Sequence, residues 1–192
     1  MTLHEHAREV LAGYTHPDPQ QEDLARQYLE FLGEHPDGVW RECAPGHITA
    51  SALVIDPGAR NVLLTLHPKV GRWLQLGGHL EYDDATVREA AIREVIEECG
   101  IPAGSISANP VRLDRHPVPC GRLADGSIRA SEHLDVQYVV VVSEAVEPVI
   151  SEESDDLRWF PHDGLPDLDP SVRALLADAA ATADSKAWVT YG

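Results

Sequence analysis

Three glutamates crowd the end of one amphipathic segment, GGHLEYDDATVREAAIREVIEECGI, which spans residues 77–101. At roughly 100° per residue, Glu94, Glu97 and Glu98 fall within a helical arc of about 100°. Ile92, Val95, Ile96 and Cys99 recur at i, i+3, i+4 and i+7 on the opposite side. One face is built for a core and the other gathers carboxylates. A charge run is ordinarily a solvated face, but two penalties count against that here. Glu94 repels Glu97 and Glu98 at helical spacing, at a cost of roughly a few tenths of a kcal/mol per pair. Glu97 and Glu98 also sit in the last turn, where the helix dipole disfavours anions by ~0.3–1 kcal/mol each. A hard divalent cation removes both penalties, and all-oxygen ligation suits Mg²⁺ or Mn²⁺ better than zinc.

This segment resembles the Nudix box, whose pattern is Gly, five residues, Glu, seven residues, then Arg-Glu-hydrophobic-x-Glu-Glu-x-Gly-hydrophobic. The second half is matched completely by Arg93-Glu94-Val95-Ile96-Glu97-Glu98-Cys99-Gly100-Ile101, and the Gly-Gly-x-x-Glu opening by Gly77, Gly78 and Glu81. Between them Asp84 replaces the usual Glu, and eight residues rather than seven separate it from Arg93. The extra residue is expected in the loop or the first helical turn. It bears on the pairing of that acid with the box arginine, not on the metal face. Trp73 ahead of the double glycine, and Arg158-Trp159-Phe160 after an acidic loop, agree in style with the same family.

The resemblance implies an activity and a division of labour. Glu94, Glu97 and Glu98 would ligate Mg²⁺ or Mn²⁺, with the carbonyl of Gly77 as a further ligand, and Arg93 would orient the carboxylates through its planar fork. Water would attack phosphorus in a nucleoside diphosphate linked to X, or a related small diphosphate. Glu98 or a loop acid, Glu153 with Glu152 as an equal candidate, would accept the proton. Gly78 and His79 would contact the substrate. Two other readings stay open on the same fold: a non-catalytic nucleotide sensor and an isomerase of isopentenyl diphosphate. Against the sensor stand the complete glutamate set and Arg93. Against the isomerase stand a box of hydrolase type and the placing of Cys99 on the apolar face.

Other chemistries find little support. There is no Walker A loop, no Gly-x-Ser-x-Gly elbow and no helical pair of metal-spaced histidines among the ten present. His79, His116 and His133 lie near predicted strand ends. His116, Asp135 and Gln137 either line a base or sugar pocket or belong to the surface or core. The formal net charge of -17 opposes a long nucleic acid partner, though not a small nucleotide that carries its own cation. Cys43, Cys99 and Cys120 form no CxxC pair, and neither a secretory leader nor a membrane-spanning run is visible, so a cytoplasmic location is expected.

The elements that must position these residues follow from periodicity and punctuation. Leu3, Ala7, Val10 and Leu11, then Leu24, Tyr28, Leu29, Phe31 and Leu32, predict two helices before residue 45. Strands are expected at 47–56, 61–67 (its hairpin partner), 73–76 (stopped by Gly77-Gly78), 111–118, 133–142 and 157–160. A helix is expected from Asp84 to Cys99, closed by Gly100, and another behind the N-cap Asp169 and Pro170. This pattern predicts an α/β (α+β) fold, a Nudix-type α/β/α sandwich with a mixed sheet, as residues 46–192, preceded by a helical extension over residues 1–45. That extension is open to three roles: a dimerisation arm giving a homodimer, a lid, or a cover over the sheet, the last being the default.

Overall fold

A computed structural model describes the chain apart from residues 16–17, 123–127, 145–146, 151–153, 184–187 and 192. Two helices open the chain, α1 (Leu3–Ala12) and α2 (Pro19–Glu34). Thr2 and Glu5 cap α1 reciprocally, and Asp18 caps α2 ahead of Pro19, so the polar residues before each apolar stripe satisfy its free N–H groups. Next come β1 (His47–Ile55), β2 (Asn61–His67), β3 (Arg72–Leu74) and β4 (Leu76–His79). They lead to α3 (Val87–Cys99), the glutamate helix. The rest is β5 (Ala103–Ser107), β6 (Arg112–Arg122), β7 (Ile128–Val142), β8 (Asp156–Pro161), α4 (Pro170–Ala183) and β9 (Trp188–Thr190).

The sheet is mixed, with strand order β3-β2-β1-β7-β5-β9; β4 also pairs with β1, β6 with β7 and β8 with β2. β1 and β7 run parallel from His47↔His133 to Ile55↔Val141, while β1 and β2 form the expected antiparallel hairpin. Alternation along β1 explains the layers. Ile48, Ala50, Ala52 and Val54 join Ala90, Ala91 and Val95 of α3 in one buried cluster. Leu53 and Ile55 join Val172 and Leu175 of α4 in a second. Helices therefore cover both faces, as an α/β/α sandwich requires.

The amino-terminal helices belong to the first of these cores. Leu3, Ala7 and Leu11 of α1, with Tyr28 and Leu32 of α2, are buried in the cluster that also holds α3. Buried Gln21 clasps β6, donating to the Leu113 carbonyl (3.0 Å) and accepting from the Leu113 N–H (2.8 Å). Tyr28 donates its hydroxyl proton to the carbonyl of Asp114 (2.6 Å). The helices lie over the sheet and saturate backbone groups of β6.

Four expectations need correction. The 73–76 run is two strands, and the double glycine does not stop the second: Gly77 and Gly78 are inside β4, paired with Ser51 and Ala50. α3 begins at Val87 behind the N-cap Thr86, not at Asp84, because the Thr86 hydroxyl receives the Glu89 N–H (3.0 Å) and starts the helix there. Ile96 is 43 % exposed although Ile92, Val95 and Cys99 are buried, so the apolar face of α3 is narrower than its spacing suggested. Finally, β5 and β9 pair with each other beyond β7, where no strand was expected.

Candidate active site

α3 stands on β1 and β4 with its last two turns over the double glycine. Glu94 and Glu98 are buried, while the side chain of Glu97 is 56 % exposed. The main-chain N–H of Gly77 donates to Glu98 Oε1 (3.0 Å). Gly78 faces the Glu94 carboxylate so closely that a Cβ there would lie 2.7 Å from Glu94 Oε2. A Cβ on Gly77 would instead meet the carbonyl oxygen of Ala50 at 2.6 Å. The paired glycines thus let a strand backbone approach both another strand and a carboxylate, which no larger residue permits. Gly100 ends the helix in the left-handed region at φ 67°, its N–H bonded to the carbonyl of Ile96 (2.8 Å).

Arg93 ties these parts together. Nε and Nη2 donate to the two oxygens of Asp84, each at 3.0 Å, and Nη2 also donates to the carbonyl of His79 (2.8 Å). Nη1 reaches Glu94 Oε1 and Glu97 Oε2, both at 3.0 Å. Burial alone would lower the arginine pKa, but the Asp84 and Glu94 carboxylates raise it above its ordinary value. Asp84 lies ahead of the helix, before the N-cap Thr86, and pairs with Arg93.

Glu94, Glu97, Glu98 and Arg93 line a cleft of about 580 Å³ together with Gly78 and His79. Its far wall comes from the turn after α2, pinned where the N–H of Ile48 donates to the Gly38 carbonyl (2.8 Å), and carries Trp40 and Arg41. Trp40 stacks on the exposed Tyr82 with ring centroids 4.3 Å apart. Sequence reasoning missed this wall, since nothing local marks a turn residue as facing a helix some fifty positions later in the chain.

The remaining sequence candidates fall elsewhere. Glu153 and Glu152 lie outside the described residues. Asp135 and Gln137 are buried on β7. Asp135 accepts from Thr49 Oγ1 (2.9 Å), Ser51 Oγ (2.6 Å) and Gln137 Nε2 (3.1 Å), and burial raises its pKa. His116 is bonded through Nδ1 to Asp114 (2.7 Å), which raises its pKa. Cys99 is buried, and burial pushes its thiol up to about 11, so it is no ready nucleophile.

The fold has relatives among solved structures. A NUDIX hydrolase from Clostridium perfringens superposes with a TM-score of 0.51 at 22% identity, covering 72% of this chain and 98% of its own. The NUDIX domain of Shewanella oneidensis NrtR, solved with ADP ribose, superposes with a TM-score of 0.51 at 18% identity, covering 91% of this chain and 97% of its own. No curated protein matches in sequence. The family profile described as NUDIX domain matches residues 45–179, most of the chain, including Arg93, Glu94, Glu97 and Glu98. The chain belongs to the NUDIX hydrolase family.

Proposed function

We propose that the protein is a Mg²⁺- or Mn²⁺-dependent pyrophosphohydrolase acting on a nucleoside diphosphate linked to X, or on a related small diphosphate. The observation that carries this reading is the charge arrangement of the cleft. A single guanidinium is shared by Asp84, Glu94 and Glu97, while Glu98 leans on a main-chain N–H. Such an excess of hard oxygen donors, held at a helix C-terminus that itself favours cations, fits a hard divalent ion. Glu94, Glu97 and Glu98, with the Gly77 carbonyl, would hold it. When bound, the ion supplies positive charge against the diphosphate oxygens and acidifies the attacking water.

The chain's own residues do the rest. Arg93 fixes the Glu94 and Glu97 carboxylates and, through the His79 carbonyl, the strand edge that the phosphates meet. Gly78 and the main chain of His79 form the surface against which the diphosphate lies. Glu98, or Glu153 ahead of β8 in the sequence, accepts the proton as water oxygen bonds to phosphorus; the bridging oxygen leaves with the second phosphate product. The Trp40–Tyr82 pair, at the rim of the same cleft, offers an aromatic face on which a base stacks. The substrate is thus a small molecule, in keeping with a net charge that repels long polyanions.

The test is a panel of nucleoside diphosphate compounds, with prenyl diphosphates alongside, assayed for phosphate-bearing products with Mg²⁺ or Mn²⁺ and ranked by kcat/KM. Turnover of at least one diphosphate, abolished by chelation, is expected. Binding with no turnover anywhere on the panel would mark a sensor and overturn the proposal, as would rearrangement of a prenyl diphosphate without release of phosphate.

A further inference from the structure

Three imidazoles meet on the sheet face away from α3. His47 opposes His133 across the parallel β1–β7 pair, and His79 opposes Thr49 across β1–β4, which puts all three on the face opposite Ile48 and Ala50. Ring centroids are 5.0 Å apart for His47 and His79, 4.9 Å for His47 and His133, and 5.2 Å for His79 and His133. One ring nitrogen from each lies within 4.8 Å of the other two. His47 is fully buried. Nε2 of His79 and Nε2 of His133 are also shielded from solvent, and neither has a hydrogen-bond partner among the described residues. Buried polar atoms left without partners are costly, and each such atom in a folded protein calls for a ligand or a reason.

We propose that His47, His79 and His133 form a second metal site, separate from the glutamate cluster and selective for a borderline transition ion of the Zn²⁺ type. Nitrogen ligands around such an ion stand at about 2.0–2.1 Å from it, hence roughly 3.4 Å from one another in tetrahedral geometry. The three nitrogens, now within 4.8 Å of one another, must draw together to that value to share one ion. A set of neutral nitrogen donors discriminates against Mg²⁺, which demands oxygen, so the two sites do not compete for one ion. Arg41 and Lys69 are the cations that oppose a bound ion. Asp114, bonded to the adjacent His116, and Asp135, two residues along β7, are the anions that favour it.

Three protein ligands leave a fourth position for water or a ligand oxygen. The His79 imidazole would join this site while its carbonyl holds Arg93 on the cleft side, so the ion would brace the strand from which the glutamate cleft is built.

The test is a Co²⁺ titration of the metal-stripped full chain, read by visible d–d absorption, beside the same titration of a Glu94→Gln/Glu98→Gln double variant and of His133→Gln. One equivalent of Co²⁺ with the intense bands of a tetrahedral site is expected, displaced by Zn²⁺ but not by excess Mg²⁺. The bands should persist in the double glutamate variant and be lost in His133→Gln. Only weak octahedral bands in the parent chain, or tetrahedral bands that vanish with the glutamates, would overturn the proposal. Should His133→Gln fail to fold by far-UV circular dichroism, these two proteins decide alone. Because the readout is spectroscopic, it stands or falls apart from hydrolysis at the glutamate cleft.

Discussion

Arg93 grips Asp84 through two hydrogen bonds of 3.0 Å each, from Nε and Nη2 to the two carboxylate oxygens. The pair forms with Asp84 outside the helix, ahead of the N-cap Thr86. Asp84→Ala removes this partly buried anchor. Loss of about 1–3 kcal/mol of stability is expected from the lost charge-assisted bonds, and a fall in kcat/KM of about tenfold to a hundredfold from a loosened arginine. Denaturant melts and steady-state kinetics check both, and Asp84→Asn should sit between the variant and the parent.

Glu98→Gln keeps an acceptor for the Gly77 N–H but removes the charge. Turnover should drop by roughly 10²–10⁴-fold, the range for loss of a general base, with circular dichroism and melting temperature near those of the parent. Parent-like turnover in this variant would count against the assigned role.

The two glycines of β4 should fail in different ways. Gly78→Ala places a methyl 2.7 Å from Glu94 Oε2, so a flexible side-chain end must move. The fold should persist while the Mg²⁺ concentration needed for half-maximal activity rises. Gly77→Ala drives its methyl into the backbone of β1, where nothing yields, and should cost about 1–3 kcal/mol or more in stability. Thermal melts alongside Mg²⁺ titrations separate the two outcomes.

Trp40→Ala tests the aromatic rim. Stacking on a base is worth about 1–3 kcal/mol, so KM for a base-bearing substrate should rise by roughly fivefold to 150-fold with little change in kcat. A diphosphate lacking a base should be turned over as before.

Asp56 caps the β1–β2 turn, accepting from the N–H groups of Arg60 (2.6 Å) and Asn61 (2.9 Å) and from Asn61 Nδ2 (3.0 Å). Burial works to raise its pKa, but the bonds from Asn61 and Arg60 outweigh that and hold it below the ordinary carboxylate value. A depressed folded-state pKa stabilises above the unfolded value near 3.8 and loses that contribution as pH falls through the folded value. Asp56→Ala should therefore melt earlier at pH 7, and the gap between variant and parent should shrink in strong acid.

What could be read from the chain beforehand follows physical range. α1, α2, β1, β2 and the glutamate face of α3 were legible because periodicity and caps are local. Asp169 was legible as a cap for the same reason, and its Oδ1 receives the Ser171 N–H (3.0 Å). β5 was not, since Ala103-Gly104-Ser105-Ile106-Ser107 offers one strong strand former, and its pairing is decided by β7. Ile96 matched the helical period but faces outward because α3 meets β1 and β4 along a narrow strip. The convergence of His47, His79 and His133 depends on the register of three strands distant in sequence, which no window of residues contains.

The parallel β1–β7 zipper also governs when the molecule can become itself during synthesis. β1 and the glutamate helix leave the ribosome early, while the strand that completes β1's pairing lies far downstream, and so non-local a contact forms slowly. Until it arrives, β1 presents an unpaired edge rich in valine, leucine and isoleucine, the kind of surface that recruits other nascent chains. Truncation ahead of β7 should therefore yield not a smaller working enzyme but an aggregating fragment dependent on chaperones.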